Sequence, residues 1–320
     1  MVANSYRPAE PQPAGRLIEA SLALWLKTWR ACLGEALLYG LASLLPALTV
    51  SGLGQKFAQA ALGLGFDQWL PWLPRAAVFD PADLIDEVGA WLAAPRTWCL
   101  VGLAALLTLG ALSVMIHRQH AIATGRSSGW HEDTAAALRR LPAGIGAWLI
   151  YLAILFGLTL PLVALTVVVF QAVLGVVDLL GLLGWLALFL VGGVVLSIPL
   201  AWASVAYGFA PFAVAAEPVG ALAAQGRSRR RVRGHWVSAA LVLSVPMLMY
   251  LGVGSVLSSL TMLLAGGVAF ASGGWAALFA GEWLSWSQLL ALVPMAAGLP
   301  LATAGGVVAW NDLTRRARTD

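Results

Sequence analysis

Charge is what this chain has least of. Asp, Glu, Lys and Arg make up 11% of its 320 residues, against about a quarter in soluble domains. A fold bathed in water cannot cover itself with so few ionised groups, whereas one bathed in hydrocarbon has no need of them. Cysteine is almost as scarce. Cys32 and Cys99 form no CxxC pair and no disulfide framework. The opening stretch, MVANSYRPAEPQPAGR, is polar and proline-rich. It lacks the apolar core of a cleaved signal peptide, so the first spanning segment is expected to act as its own insertion signal.

What is present is long uncharged sequence, with 60% of residues hydrophobic. Ala36–Gln55 carries no charge, and Thr97–His117 has no Asp, Glu, Lys or Arg. Pro142–Ala216 contains only Asp178, and Gly234–Asn311 only Glu282. At about 20 apolar residues per crossing, these runs predict an all-α, polytopic helical membrane protein with six transmembrane helices in three hairpins. The predicted spans are 31–53, 97–117, 143–170, 181–206, 238–263 and 286–310. They lie in a single membrane domain, 15–312, between a flexible N-terminus, 1–14, and a tail, 313–320. Both cysteines fall in these spans, Cys32 at the inner end of the first and Cys99 at the outer end of the second. That separation is too large for a bridge.

The basic residues assign the sides. Arg7, Arg16, Lys27 and Arg30 precede the first span; Arg118, Arg126, Arg139 and Arg140 fall in the second connection. Arg227, Arg229, Arg230, Arg231 and Arg233 fall in the fourth, and Arg315, Arg316 and Arg318 in the tail. The alternate connections hold only Lys56, Arg75 and Arg96. This asymmetry predicts a multi-pass protein with both termini cytoplasmic. Three of the basic segments, Gly15–Arg30, His131–Leu141 and Phe212–Trp236, combine an apolar stripe with cations and read as amphipathic cytoplasmic interfacial helices. In the first, Leu17, Ala20, Leu24 and Trp25 fall near one face, away from Arg16, Glu19 and Lys27. The unit of interfacial helix, span, outer turn and span thus recurs from residues 15, 131 and 212, a weak internal repeat. The outer loop 55–96 carries Trp69, Trp72 and Trp91, suited to an aromatic belt, and a helix start at Asp80–Pro81.

Groups able to do chemistry are few. Asp83, Asp86 and Glu87 share a helix face, which reads as a solvated acidic face at a helix start rather than a cation site. His117 and His120, with His131 and Glu132 beyond, supply no third ligand at a fixed spacing. No titratable pair sits at mid-span, which argues against ion-coupled transport and against acid–base or metal hydrolysis in the membrane. No catalytic residue, cofactor or metal is expected.

The segment Pro211–Trp236, PFAVAAEPVGALAAQGRSRRRVRGHW, resembles a pattern in bacterial multi-pass proteins related to the membrane domain of glycerophosphoryl diester phosphodiesterase. Pro211, Glu217, Gly220, Ala221, Ser228, Gly234 and Trp236 match its layout of a proline at the end of one span, an acid, small residues, a Ser–basic cluster, then Gly and an aromatic opening the next span. The resemblance implies a helical-hairpin architecture. It does not imply phosphodiesterase activity, because the catalytic barrel of the enzyme would need sequence beyond the last span.

The sequence, together with this resemblance, therefore predicts a non-enzymatic protein of a bacterial inner membrane with a structural or accessory role. It would engage anionic membrane lipid or a membrane-protein partner, and not nucleic acid, through Arg227, Arg229, Arg230, Arg231, Arg233, Arg139 and Arg140. The alternative is a transporter or flippase for an uncharged or amphipathic solute. Its motif would be helices broken by Pro46, Pro161, Pro199, Pro246, Pro294 and Pro300.

Overall fold

A computed structural model describes residues 12–49, 89–90, 93–126, 129–174, 197–280 and 282–319. Among these residues the regular elements are all helices. They are α1 (Ala14–Thr28), α2 (Leu33–Thr49), α3 (Pro95–Ala123), α4 (Trp130–Leu174), α5 (197–208), α6 (Ala210–Ala216), α7 (Ala221–Val232), α8 (Trp236–Ala280) and α9 (Glu282–Thr319).

Four stretches, Pro95–Ala123, Trp130–Leu162, Ser197–Ala216 and Trp236–Gly274, are long and apolar enough to cross a membrane. Only 6% of the apolar window in α4 and 17% of that in α8 is buried against protein. Leu149, Phe156 and Leu160 of α4, and Leu248, Leu263 and Val268 of α8, are each more than half exposed. Such a surface would associate or aggregate in water. Hydrocarbon covers it without penalty, so the chain is a helical membrane protein. The expected first span corresponds to α2, apolar and described over 17 residues. Most of the expected 181–206 span, nearly all of the outer loop 55–96, and with them Asp83, Asp86, Glu87 and Asp178, lie outside the described residues.

Two expectations about helix limits are corrected. The amphipathic segment His131–Leu141 is not a separate interfacial helix but the first turns of α4, which continues past Pro142 and Pro161. Pro142 removes one helical hydrogen bond, yet Ala137 and Ala147 on either side are buried and hold the rod together. Likewise α8 runs beyond residue 263 as far as Ser272, and a second helical stretch follows the break to Ala280. Its backbone leaves helical geometry at Gly273 and Gly274 and not at Pro246. Gly274, at φ 61 and ψ −149, occupies a region closed to residues with a Cβ.

Packing groups the chain into two compact units. One comprises Leu33–Ala111 and Leu251–Gly298 and contains α2. The other comprises Met1–Cys32, Leu112–Tyr250 and Leu299–Asp320. In this second unit Leu24, Phe209, Val242, Val307 and Trp310 form a core that excludes solvent almost completely. The Phe209 and Trp310 rings stack with centroids 6.5 Å apart. The apolar stripe of α1 joins this core through Leu17, Ala20 and Leu24, while Arg16, Glu19 and Lys27 stay exposed. The periodicity is as the sequence predicts, but protein rather than the lipid headgroup region takes up the stripe.

Small residues let the rods of this unit approach closely. A methyl group at Gly306 of α9 would overlap the Phe212 ring, and one at Gly305 would come within 2.8 Å of Pro246 Cγ. Without a hydrophobic drive between spans, such backbone-close contacts carry helix association. The chain's early and late segments also meet. The Gln12 amide donates to Asp312 Oδ1 at 3.2 Å, Arg316 Nη2 donates to the Gln12 carbonyl at 2.8 Å, and Arg316 Nε donates to Asp312 Oδ2 at 2.6 Å.

Candidate functional site

Five arginines within seven positions cannot all face one way on a helix that turns 100° per residue. α7 sorts them. Ala224, Gln225, Ser228 and Val232 are its buried face. Arg227 and Arg231, one turn apart, flank that face and are partly covered. Arg229, Arg230 and Arg233 point to the exposed side.

Two hydrogen bonds fix the register of α7. Ser228 Oγ donates to the Ala206 carbonyl of α5 at 2.7 Å, and Gln225 Nε2 donates to the Ala147 carbonyl of α4 at 2.7 Å. α4, α6 and α7 pack on one another. The expectation of a single amphipathic segment over 212–236 is corrected here. α6 is buried from Ala210 to Ala215, the chain turns at 217–220, and only α7 is two-faced. α6 carries no charged side chain to send outward, so its whole circumference suits the interior.

The covered arginines are engaged inside the protein. Arg227 and Arg231 both pair with Glu217, which follows α6; the Arg231 Nη1–Glu217 Oε1 distance is 2.7 Å. Burial pushes the Glu217 carboxyl up, but the hydrogen bonds and charges of Arg231 and then Arg227 outweigh it and hold it below the ordinary carboxylate range. Arg231 also reaches α9. It donates to Thr314 Oγ1 at 2.9 Å, and its guanidinium lies 4.4 Å from the Trp310 ring centroid. Arg140 of α4 donates to the Ala215 carbonyl at 2.9 Å and the Val214 carbonyl at 3.3 Å. It thereby satisfies acceptors at the C-terminal end of α6, where the helix dipole favours a cation.

The seven arginines predicted as one contact set therefore divide. Arg140, Arg227 and Arg231 are structural. Arg139, Arg229, Arg230 and Arg233 are exposed. Arg229 lies over the Trp202 ring of α5, 5.9 Å from its centroid. The partners Glu217, Trp310, Thr314 and Trp202 escape sequence reasoning. Nothing in local spacing pairs an acid in a turn with arginines ten and fourteen residues later, and Trp310 is remote in sequence.

His117 is part-covered in α3, whereas His131 and Glu132 are exposed. Among the described residues no three His, Cys, Asp or Glu side chains come together as metal ligands. Cys32 is buried, Cys99 is exposed, and both are free thiols.

Fold and site together define a helical multi-pass membrane protein bearing an arginine-rich helix, two of whose arginines share one internal carboxylate. No family model, curated protein or solved structure matches the chain.

Proposed function

We propose that the protein is a non-enzymatic six-span protein of a bacterial inner membrane, with both termini cytoplasmic. In this reading it has a structural or accessory role and engages anionic lipid through its exposed basic surface. The observation that carries the reading is the division of the α7 arginines. Glu217 engages the inward pair, whereas Arg229, Arg230 and Arg233 face outward, beside spans whose apolar surface is bare. Each cation at a membrane surface draws anionic lipid by about 1 kcal/mol. The six-span count and the hairpin layout like that of phosphodiesterase membrane domains belong to the same proposal.

The transport reading draws no comparable support. α4 and α8 continue as helices through Pro142, Pro161 and Pro246. The test is lipid retention by the purified full chain in mixed-lipid nanodiscs. Anionic lipid should be enriched over zwitterionic lipid, and the enrichment should fall as salt rises. Equal recovery of both lipids would defeat the reading. With Cys32 and Cys99 replaced by serine, a thiol introduced at Arg230 should be labelled only after the cytoplasmic side is opened; labelling in intact spheroplasts would reverse the assigned orientation.

A further inference from the structure

The exposed arginines adjoin something their number alone does not reveal. Ile198 and Trp202 stand one turn apart on α5, exposed by 63% and 45%, within a stretch apolar enough to span. Arg229 lies over the Trp202 ring at the end of this strip. Arg233, exposed, caps the C-terminal end of α7, its backbone N–H bonded to the Arg229 carbonyl, and Leu222, 77% exposed, lies on the Arg229 face two turns earlier. Among the described residues, the side chains of Arg229, Arg230 and Arg233 make no ion pair or hydrogen bond.

Deepening the lipid reading above, on which this rests, we propose that this corner is a discrete site for one anionic phospholipid. Its phosphate lies against Arg229 and Arg233, and an acyl chain runs along Trp202 and Ile198. A guanidinium over an indole at this distance keeps N–H groups free for a phosphate, which it can share with the neighbouring Arg233 fork. A soluble phosphate would satisfy the arginines but leave the adjoining apolar strip without an occupant. A lipid satisfies both. Trp202 has the amphipathic ring that favours the boundary between headgroup and chain. Arg230, at the edge of the same exposed face, widens the positive field without being needed for the contact.

The experiment compares phosphatidylglycerol with phosphatidylcholine retention by the full chain, read by native mass spectrometry. R229Q/R233Q should lower the ratio roughly tenfold, and W202A roughly threefold at unchanged net charge. The charge-matched control R16Q/R126Q should stay within about twofold. If the control falls as far as R229Q/R233Q, the attraction is spread over the whole basic surface; the discrete site is then overturned and the general lipid reading survives. If no variant changes the ratio, both fail. Millimolar glycerol phosphate that displaces the lipid from the wild-type protein would make this a soluble-phosphate site and overturn the role of the chain. Should R229Q/R233Q misfold, phosphatidylglycerol with a photoreactive acyl chain decides on the wild-type protein. Crosslinks at residues 198–202 support the site, and crosslinks confined to other spans refute it.

Discussion

The Arg231 guanidinium lies 4.4 Å from the centroid of the Trp310 ring while the same side chain pairs with Glu217. One arginine thus ties the turn after α6 to the far end of α9, across 93 residues of sequence separating Glu217 from Trp310 (310 − 217). Charge, cation–π contact and the hydrogen bond to Thr314 act on one side chain, so its loss should be felt in stability rather than in surface charge.

Glu217→Gln should lower stability at neutral pH by on the order of 1 kcal/mol, the pair being partly solvated. Because its partners depress the Glu217 pKa in the folded state, the contribution is present above the ordinary carboxylate pKa. It is lost as pH falls through the depressed value. Thermal unfolding of both proteins in detergent from pH 7 to pH 3 should show two melting temperatures converging on the acid side. A gap that stays constant would show that the charge is not what stabilises.

Arg140 and Arg139 are neighbours with opposite fates. Arg140→Met leaves the Val214 and Ala215 carbonyls without this donor and should cost about 1–3 kcal/mol. Arg139→Met, at an exposed position, should stay within about 0.5 kcal/mol. Denaturation midpoints in one detergent settle the comparison, and equal losses would remove Arg140 from the structural set.

Gly306→Ala should destabilise by about 1–3 kcal/mol through overpacking, because its methyl would meet the Phe212 ring. Phe212→Leu in the same chain should recover part of that loss. A double-mutant cycle with no coupling would show that the two residues do not share the space.

Ser228→Ala should cost about 1 kcal/mol by leaving the Ala206 carbonyl without its side-chain donor at 2.7 Å. Ser228→Thr, which keeps the hydroxyl but adds a methyl at a buried position, should be worse than Ser228→Ala. The order of the two melting temperatures is the readout.

Hydropathy made the class readable from residues 97–117 and 143–170, because a charge-free run of that length has no other economical explanation. Helical periodicity likewise placed Leu17, Ala20 and Leu24 on one face of α1. It could not say what covers that face, since protein and lipid tails are equally apolar. The basic run at 227–233 was visible as charge, but its division into inward and outward sets depends on the start of α7 at Ala221 and on Glu217 lying before it. Neither follows from composition. The extension of α4 back to Trp130 was hidden by Pro142, which in isolated sequence reads as a boundary and in the folded chain is tolerated by its packed neighbours.

The meeting of Gln12 with Asp312 and Arg316 makes the described chain a nearly closed circuit. Joining such distant points costs several kcal/mol of loop entropy, growing only slowly with the number of residues enclosed. Once the circuit is made, fraying on one side of the seam must loosen the other. Amide exchange at Leu17, whose N–H bonds the Pro13 carbonyl, should therefore quicken when Asp312 is replaced.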